Sequence, residues 1–141
     1  MHNSTDKPTE EIMNELINAK TKLELEKLKP YTHPDPVDYF DRLLKARNLN
    51  WSRAFVNANM DDSYGRSVKI GRNAFNRDMI CRIALGNRLT VDETQSLLKY
   101  ASCTELYAKN ARDKIIIFAI NHNWSITQTN EYLDNNGHKP I

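Results

Sequence analysis

The sequence contains little glycine and proline, four and five residues among 141. Sandwiches and barrels place these residues in many tight turns, so their scarcity argues against an all-β protein. No apolar run approaches the ~20 residues that a membrane-spanning helix needs. The first six residues are polar and contain no apolar signal core, so nothing indicates secretion. We therefore expect a cytoplasmic protein with no membrane partner.

Cysteine and histidine are too few and too scattered to predict a metal site. Cys81 and Cys103 fit no zinc-binding spacing, and no two of the four histidines occur at ligand spacing on one helix. Ser-His-Asp, Cys-His and glycine-rich phosphate-binding patterns are also missing. The sequence thus predicts no metal, no cofactor and no enzymatic activity.

Positive charge is present and is concentrated in one part of the chain. Residues 41–90 contain ten Lys and Arg against four Asp and Glu, whereas acidic residues are in excess on both sides. Arginine dominates this basic stretch, and its guanidinium group makes bidentate contacts with phosphates and guanine edges. A local basic peak of this kind favours a nucleic-acid partner over a merely solvated face.

Apolar stripes at helical spacing predict an all-α fold of about seven short helices. An N-terminal helix begins after Thr9, and Pro30, Pro34 and Pro36 mark the linker that follows it. Further N-caps are predicted along the chain, and they are Asn50, Asp61, Asn76, Thr90, Asn110 and Ser125. The segments Thr90–Glu93 and Ser125–Gln128 have the capping-box pattern. The residues expected to end helices are Asn48, Asn59, Gly71 and Gly137.

Two of these helices, 51–58 and 62–70, are predicted to form a helix-turn-helix. The turn Asn59-Met60-Asp61 offers a residue that tolerates positive φ, an apolar plug and an N-cap. Val68 is the expected inward anchor of the second helix. Trp51 and Phe55 are expected to pack between helices, where large aromatic rings bury most surface.

The outward side chains of the second helix and the cations around it are the candidate DNA contacts. Those predicted to reach base edges are Ser63, Arg66 and Ser67. Those predicted to contact phosphates are Arg53, Tyr64, Lys69, Arg72 and Arg77. Phosphate contacts set the register of a protein on duplex DNA, and base contacts supply sequence specificity.

Three short segments carry a resemblance to a known family. They are Ser63-Tyr64-Gly65, Gly71-Arg72 and Arg77-Asp78. Residues 39–89 resemble the repressor-type helix-turn-helix domains of the XRE (lambda-repressor-like) superfamily, and the closer likeness is to a group of XRE-family regulators of Firmicutes. In that group Thr-Tyr-Gly opens the second helix of the pair, and Gly-Arg and Arg-Asp follow at the same spacings. The likeness extends to both ends of the chain, from Thr9–Ile12 to Pro140.

The resemblance implies a DNA-binding domain at 37–102, preceded by an N-terminal helix and linker at 1–36. A C-terminal helical pair at 103–141 would pack on the core or form a dimer contact, and the apolar helix 111–122 is expected at the centre of that half. The implied function is a sequence-specific regulator of repressor type, with the helix at 62–70 in the major groove of double-stranded DNA. A homodimer is expected, since one short helix covers only a few base pairs.

The chain departs from the family pattern at the tip of the helix pair. The group has a basic or polar residue where Asp62 stands, an aromatic residue at Arg66 and a proline near Phe75. Asp61 and Asp62 put two carboxylates where phosphate is expected. The alternative interpretation is therefore an adaptor that keeps the helix-turn-helix scaffold and binds a protein partner instead of DNA.

Overall fold

The described part of the chain is all helical, as the sequence predicts. A computed structural model describes Met13, Asn14 and residues 34–141. Asp35–Ile141 forms a compact unit, and Met13 and Asn14, which belong to a separate unit at Met1–Pro34, are helical and exposed. The predicted N-terminal helix from Thr9 and most of its linker lie outside the described residues.

Seven helices follow one another between residues 34 and 141, and no strand occurs there. They are α1 (Pro36–Ala46), α2 (Trp51–Asn57), α3 (Asp62–Lys69), α4 (Arg77–Asn87), α5 (Val91–Tyr100), α6 (Ala111–Asn121) and α7 (Ile126–Asn135). None of the helices in this region is long and apolar enough to cross a membrane.

Short polar side chains begin these helices where the sequence places them. Asn50, Asp61, Asn76, Asn110 and Ser125 each accept a hydrogen bond from a backbone N–H of the first turn. Each bond satisfies a donor that the helix leaves free. The helix ends are also confirmed, since positive φ angles occur at Asn48, Asn59, Gly71 and Gly137.

The two predicted capping boxes differ in outcome. Thr90 and Glu93 make both reciprocal bonds. Ser125 accepts from the Gln128 backbone at 3.0 Å, which is one of the two bonds of a box, and the reciprocal bond is not formed. At the other end of the unit, α1 begins at Pro36 rather than after it, because proline fits the first position of a helix, and Asp35 is its cap.

An aromatic cluster fills the core between α1 and α2. The Phe40 ring lies edge-on to Trp51 at 4.8 Å and to Phe75 at 5.6 Å between centroids. Phe40 and Phe55 are fully buried, and Trp51 is nearly so, which confirms that Trp51 and Phe55 pack between helices. The free thiol of Cys81 is buried in the same core, and burial raises its pKa to about 12.

Helix α4 is the central element, because it contacts α2, α5, α6 and α7. Its buried face includes Ile80, Ile83 and Ala84, which are at most 1% exposed. Helix α6 packs on α4, α5 and α7 but is not enclosed on all sides as its composition suggests. Ile116 and Ala119 are fully buried, whereas Phe118 remains 49% exposed, since no described helix covers that side.

Candidate nucleic-acid interface

The turn between α2 and α3 has the predicted helix-turn-helix chemistry. Ala58 ends α2, and Asn59 takes a φ of 57°, which redirects the chain. The Met60 backbone N–H donates to the Phe55 carbonyl at 2.9 Å. Asp61 then begins α3, and its side chain accepts from the Ser63 backbone at 2.8 Å.

Helix α3 packs against α2 through its smallest residue and one valine. Gly65 and Val68 are the buried residues of α3, which confirms Val68 as its inward anchor. A Cβ on Gly65 would lie 2.9 Å from the Phe55 ring and 3.3 Å from the Trp51 carbonyl oxygen. Glycine therefore permits the close approach of the two helices, at a cost of about 1 kcal/mol in helix propensity relative to alanine.

The opposite face of α3 is open to solvent. Ser63, Arg66 and Lys69 are exposed there, and Ile70 at the helix end is 69% exposed. Spacings of three residues put the first three on one face of the helix. This face presents a hydroxyl, a guanidinium and an ammonium group with no described helix over them.

The other two candidate contacts on α3 are less available. Ser67 is half-buried at the edge of the exposed face. Tyr64 is also half-buried, and its ring lies 6.4 Å from that of Phe55. Tyr64 therefore helps to fix α3 on α2.

Both carboxylates at the start of α3 have local hydrogen-bond partners. Asp61 accepts from the Ser63 hydroxyl at 2.6 Å as well as from the Ser63 backbone, and these bonds lower the pKa of Asp61. Asp62 accepts from the Ser52 hydroxyl at 3.2 Å and from Arg66 Nη1 at 3.3 Å. The negative charge is thus partly compensated within the helix pair.

The predicted phosphate contacts separate into two groups. Arg53 on α2, Lys69 on α3 and Arg72 after α3 are exposed, and none of the three forms an ion pair with another described residue. Arg77 differs, because its guanidinium is bound to Asp113 at 2.7 Å and to backbone carbonyls.

Two residues that the sequence did not single out hold the helix pair in place. Arg82 on α4 donates to the Ala58 carbonyl at 3.0 Å and to the Asn59 carbonyl at 2.8 Å. The buried Asn87 amide donates to the Ala54 carbonyl at 2.9 Å and accepts from Asn57 at 3.0 Å. Their partners are more than 20 residues away, so no local pattern predicts these bonds.

No metal-binding cluster accompanies the helix pair in the described part of the chain. Among residues 34–141, no group of three or more His, Cys, Asp or Glu side chains is arranged to hold a metal ion. Comparisons with known proteins add nothing further, since no family model, no curated protein and no solved structure matches the chain. A proposed function therefore depends on the helix pair and the charges on it.

Proposed function

We propose that the protein is a sequence-specific DNA-binding regulator of the XRE type, with α3 as its recognition helix. The observation that carries this proposal is the open face of α3, where Arg66 and Lys69 are exposed on a helix held rigidly against α2. The major groove of B-DNA is about 12 Å wide and admits one α-helix. Arg53 on α2 and Arg72 after α3 are exposed, and we assign them contacts with phosphates.

The ion pair between Arg66 and Asp62 does not oppose this role. Its two side chains are 64% and 45% exposed. An exposed pair between neighbouring helical turns contributes about 0.3–0.5 kcal/mol, and a good bidentate contact to a base contributes roughly 1–3 kcal/mol of discrimination. The weak exposed pair with Asp62 therefore leaves Arg66 free to contact a base edge.

The same local bonding weakens the case for an adaptor without DNA binding. Asp61 caps α3, and Asp62 is bound by Ser52 and Arg66. These bonds within the protein explain both carboxylates without a protein partner. Loss of DNA binding remains the outcome that would favour the adaptor and its protein partner.

The proposal includes a homodimer in the cytoplasm. One helix of eight residues contacts only a few base pairs, and helix-turn-helix proteins extend the contact with two half-sites about one helical turn apart. The proposed base contacts still include Ser63 and Ser67. The proposed phosphate contacts are still Arg53, Tyr64, Lys69 and Arg72. Arg77 is proposed to act indirectly, since its guanidinium is bound within the protein.

Selection from a random duplex library, followed by mobility shift at low salt, tests the proposal. We expect an enriched operator, and we expect Arg66→Ala to abolish discrimination at one base pair, a loss of roughly 1–3 kcal/mol. Lys99→Ala on α5 removes the same charge from an exposed site away from α3 and is the matched control. Absence of any binding at low salt would overturn the proposal.

A further inference from the structure

A second surface of interest lies between α6 and α7. Phe118 of α6, Tyr132 of α7 and Trp124 from the loop between them surround a groove of about 630 Å³. The Trp124 ring lies 5.4 Å from that of Phe118 and 5.5 Å from that of Tyr132. Phe118 and Tyr132 are 49% and 47% exposed, so the fold leaves a large apolar surface open.

The local structure holds these rings in place. Asn123 has a φ of 55°, and the Trp124 backbone N–H donates to the Ala119 carbonyl at 3.0 Å, which fixes the loop against α6. The His122 ring stacks on Phe118 at 3.9 Å. The groove is therefore preformed and does not depend on side chains that must become ordered on binding.

The groove is lined by a cationic side chain and by no described acidic residue. Lys114, Asn136 and His138 line it together with the aromatic rings, and no described lining residue is acidic. Lys114 is exposed, and it forms no ion pair with another described residue. An acidic group in the groove would gain a charged partner in Lys114 and would meet no facing carboxylate.

We propose that this groove binds a small molecule with a flat aromatic ring system and an acidic substituent. The volume falls within the roughly 300–1,000 Å³ of small-molecule sites, and such sites combine apolar walls with a few converging polar groups. The ring would pack among Phe118, Trp124 and Tyr132, while the acidic group would contact Lys114. This proposal does not depend on DNA binding, because no residue of the helix pair lines the groove.

Two fluorescent probes of the same ring system test the proposal. The anion 1-anilinonaphthalene-8-sulfonate has a sulfonate that neutral N-phenyl-1-naphthylamine lacks. We expect the full-length protein to bind the anion more tightly than the neutral probe. Phe118→Ala should weaken both probes, and Lys114→Gln should weaken only the anion by up to about fivefold, the upper range for an exposed ion pair.

The control is Lys109→Gln, which removes an equivalent exposed charge outside the groove and should leave both affinities unchanged. Helical circular dichroism checks that each variant is folded. Equal affinities for the two probes, or an anion affinity that Lys114→Gln does not alter, would overturn the proposal. So would a dimer in sedimentation velocity that Phe118→Ala dissociates and that excludes both probes, since a second copy would then occupy the groove.

Discussion

Arg77 and Asp113 connect the start of α4 to the start of α6. The guanidinium donates to both carboxylate oxygens, at 3.1 and 2.7 Å, and also to the carbonyls of Thr104 and Glu105. The Asp113 side chain is 8% exposed, and it accepts a further bond from the Tyr107 backbone. One pair of side chains thus fixes the loop between α5 and α6 as well as both helices.

We expect the removal of one side chain of this pair to lower the free energy of unfolding more than the removal of both. Arg77→Met leaves the Asp113 carboxylate buried and unpaired, so it should lower the free energy of unfolding by about 3 kcal/mol. The double variant Arg77→Met/Asp113→Leu should recover a large part of that loss. Urea denaturation of the two single variants and the double variant measures the coupling, and additive losses would contradict it.

The same pair predicts how stability depends on pH. Burial raises the pKa of Asp113, but the hydrogen bonds from Arg77 and Tyr107 and the nearby guanidinium charges outweigh burial, so its pKa lies below the usual 3.8. The folded state therefore binds this proton less readily than the unfolded chain. The stabilisation is fully present above about pH 4 and is lost as pH falls through the lower pKa of the folded state.

Thermal unfolding between pH 6 and pH 2.5 measures this dependence. The wild type should lose more stability below pH 4 than the double variant, which has no carboxylate at position 113. The comparison separates Asp113 from the other carboxylates, which are common to both proteins. Identical pH profiles would mean that Asp113 does not titrate as described.

At the scale of elements, glycine sets the distance between α2 and two of its neighbours, α3 and α4. A Cβ on Gly86 of α4 would lie 2.2 Å from the Asn57 carbonyl oxygen at the end of α2. A Cβ on Gly65 of α3 would meet the Phe55 ring at 2.9 Å. The first contact is with backbone, which has to move with its helix, and the second is with a side chain.

We predict a graded effect of alanine at these two positions. Gly86→Ala should destabilise the protein by about 3 kcal/mol, the upper range for overpacking. Gly65→Ala should cost less, because the Phe55 ring can shift and alanine recovers about 1 kcal/mol of helix propensity. Denaturant melts of the two variants check the order, and a smaller loss for Gly86→Ala would contradict the close approach of α4 to α2.

Local sequence signals predicted the elements of this fold well and their partners poorly. Asn50, Asp61, Asn76 and Asn110 cap helices because capping depends on neighbouring backbone donors, which a pattern of three or four residues specifies. The positive φ of Asn59 is predictable for the same reason, because it depends on the residues of the turn itself. Arg88 and Ser102 also have positive φ, and neither residue type favours that conformation, so the sequence does not indicate it.

Arg77 shows where sequence reasoning about the candidate site stops. Its place in the basic stretch suggested a phosphate contact, but its carboxylate partner is 36 residues further along the chain. Pairing over that distance depends on tertiary packing, which spacing does not encode. Val68 and Arg66 were assigned to opposite faces of α3 correctly, since helical periodicity alone decides that question.

At the scale of the whole molecule, the proposed DNA binding depends on where the excess positive charge lies. Arg66 and Lys69 are exposed on α3, Arg53 on α2 and Arg72 after α3 are exposed too, and Asp61 and Asp62 are held by local bonds. A protein that neutralises several phosphates releases counterions, so its affinity falls steeply with salt. A protein-binding adaptor contacts no phosphates, so it has no salt-dependent affinity for DNA.

The most direct measurement is the affinity for the selected operator between 50 and 200 mM salt. Each phosphate contact contributes about −0.9 to the slope of log affinity against log salt. With Arg53, Lys69 and Arg72 as contacts, we predict a slope of about −3 per protomer, which Arg72→Ala should reduce by about one while Lys99→Ala leaves it unchanged. A flat titration, or a slope that Arg72→Ala does not alter, would contradict the assignment of α3 as a DNA-reading helix.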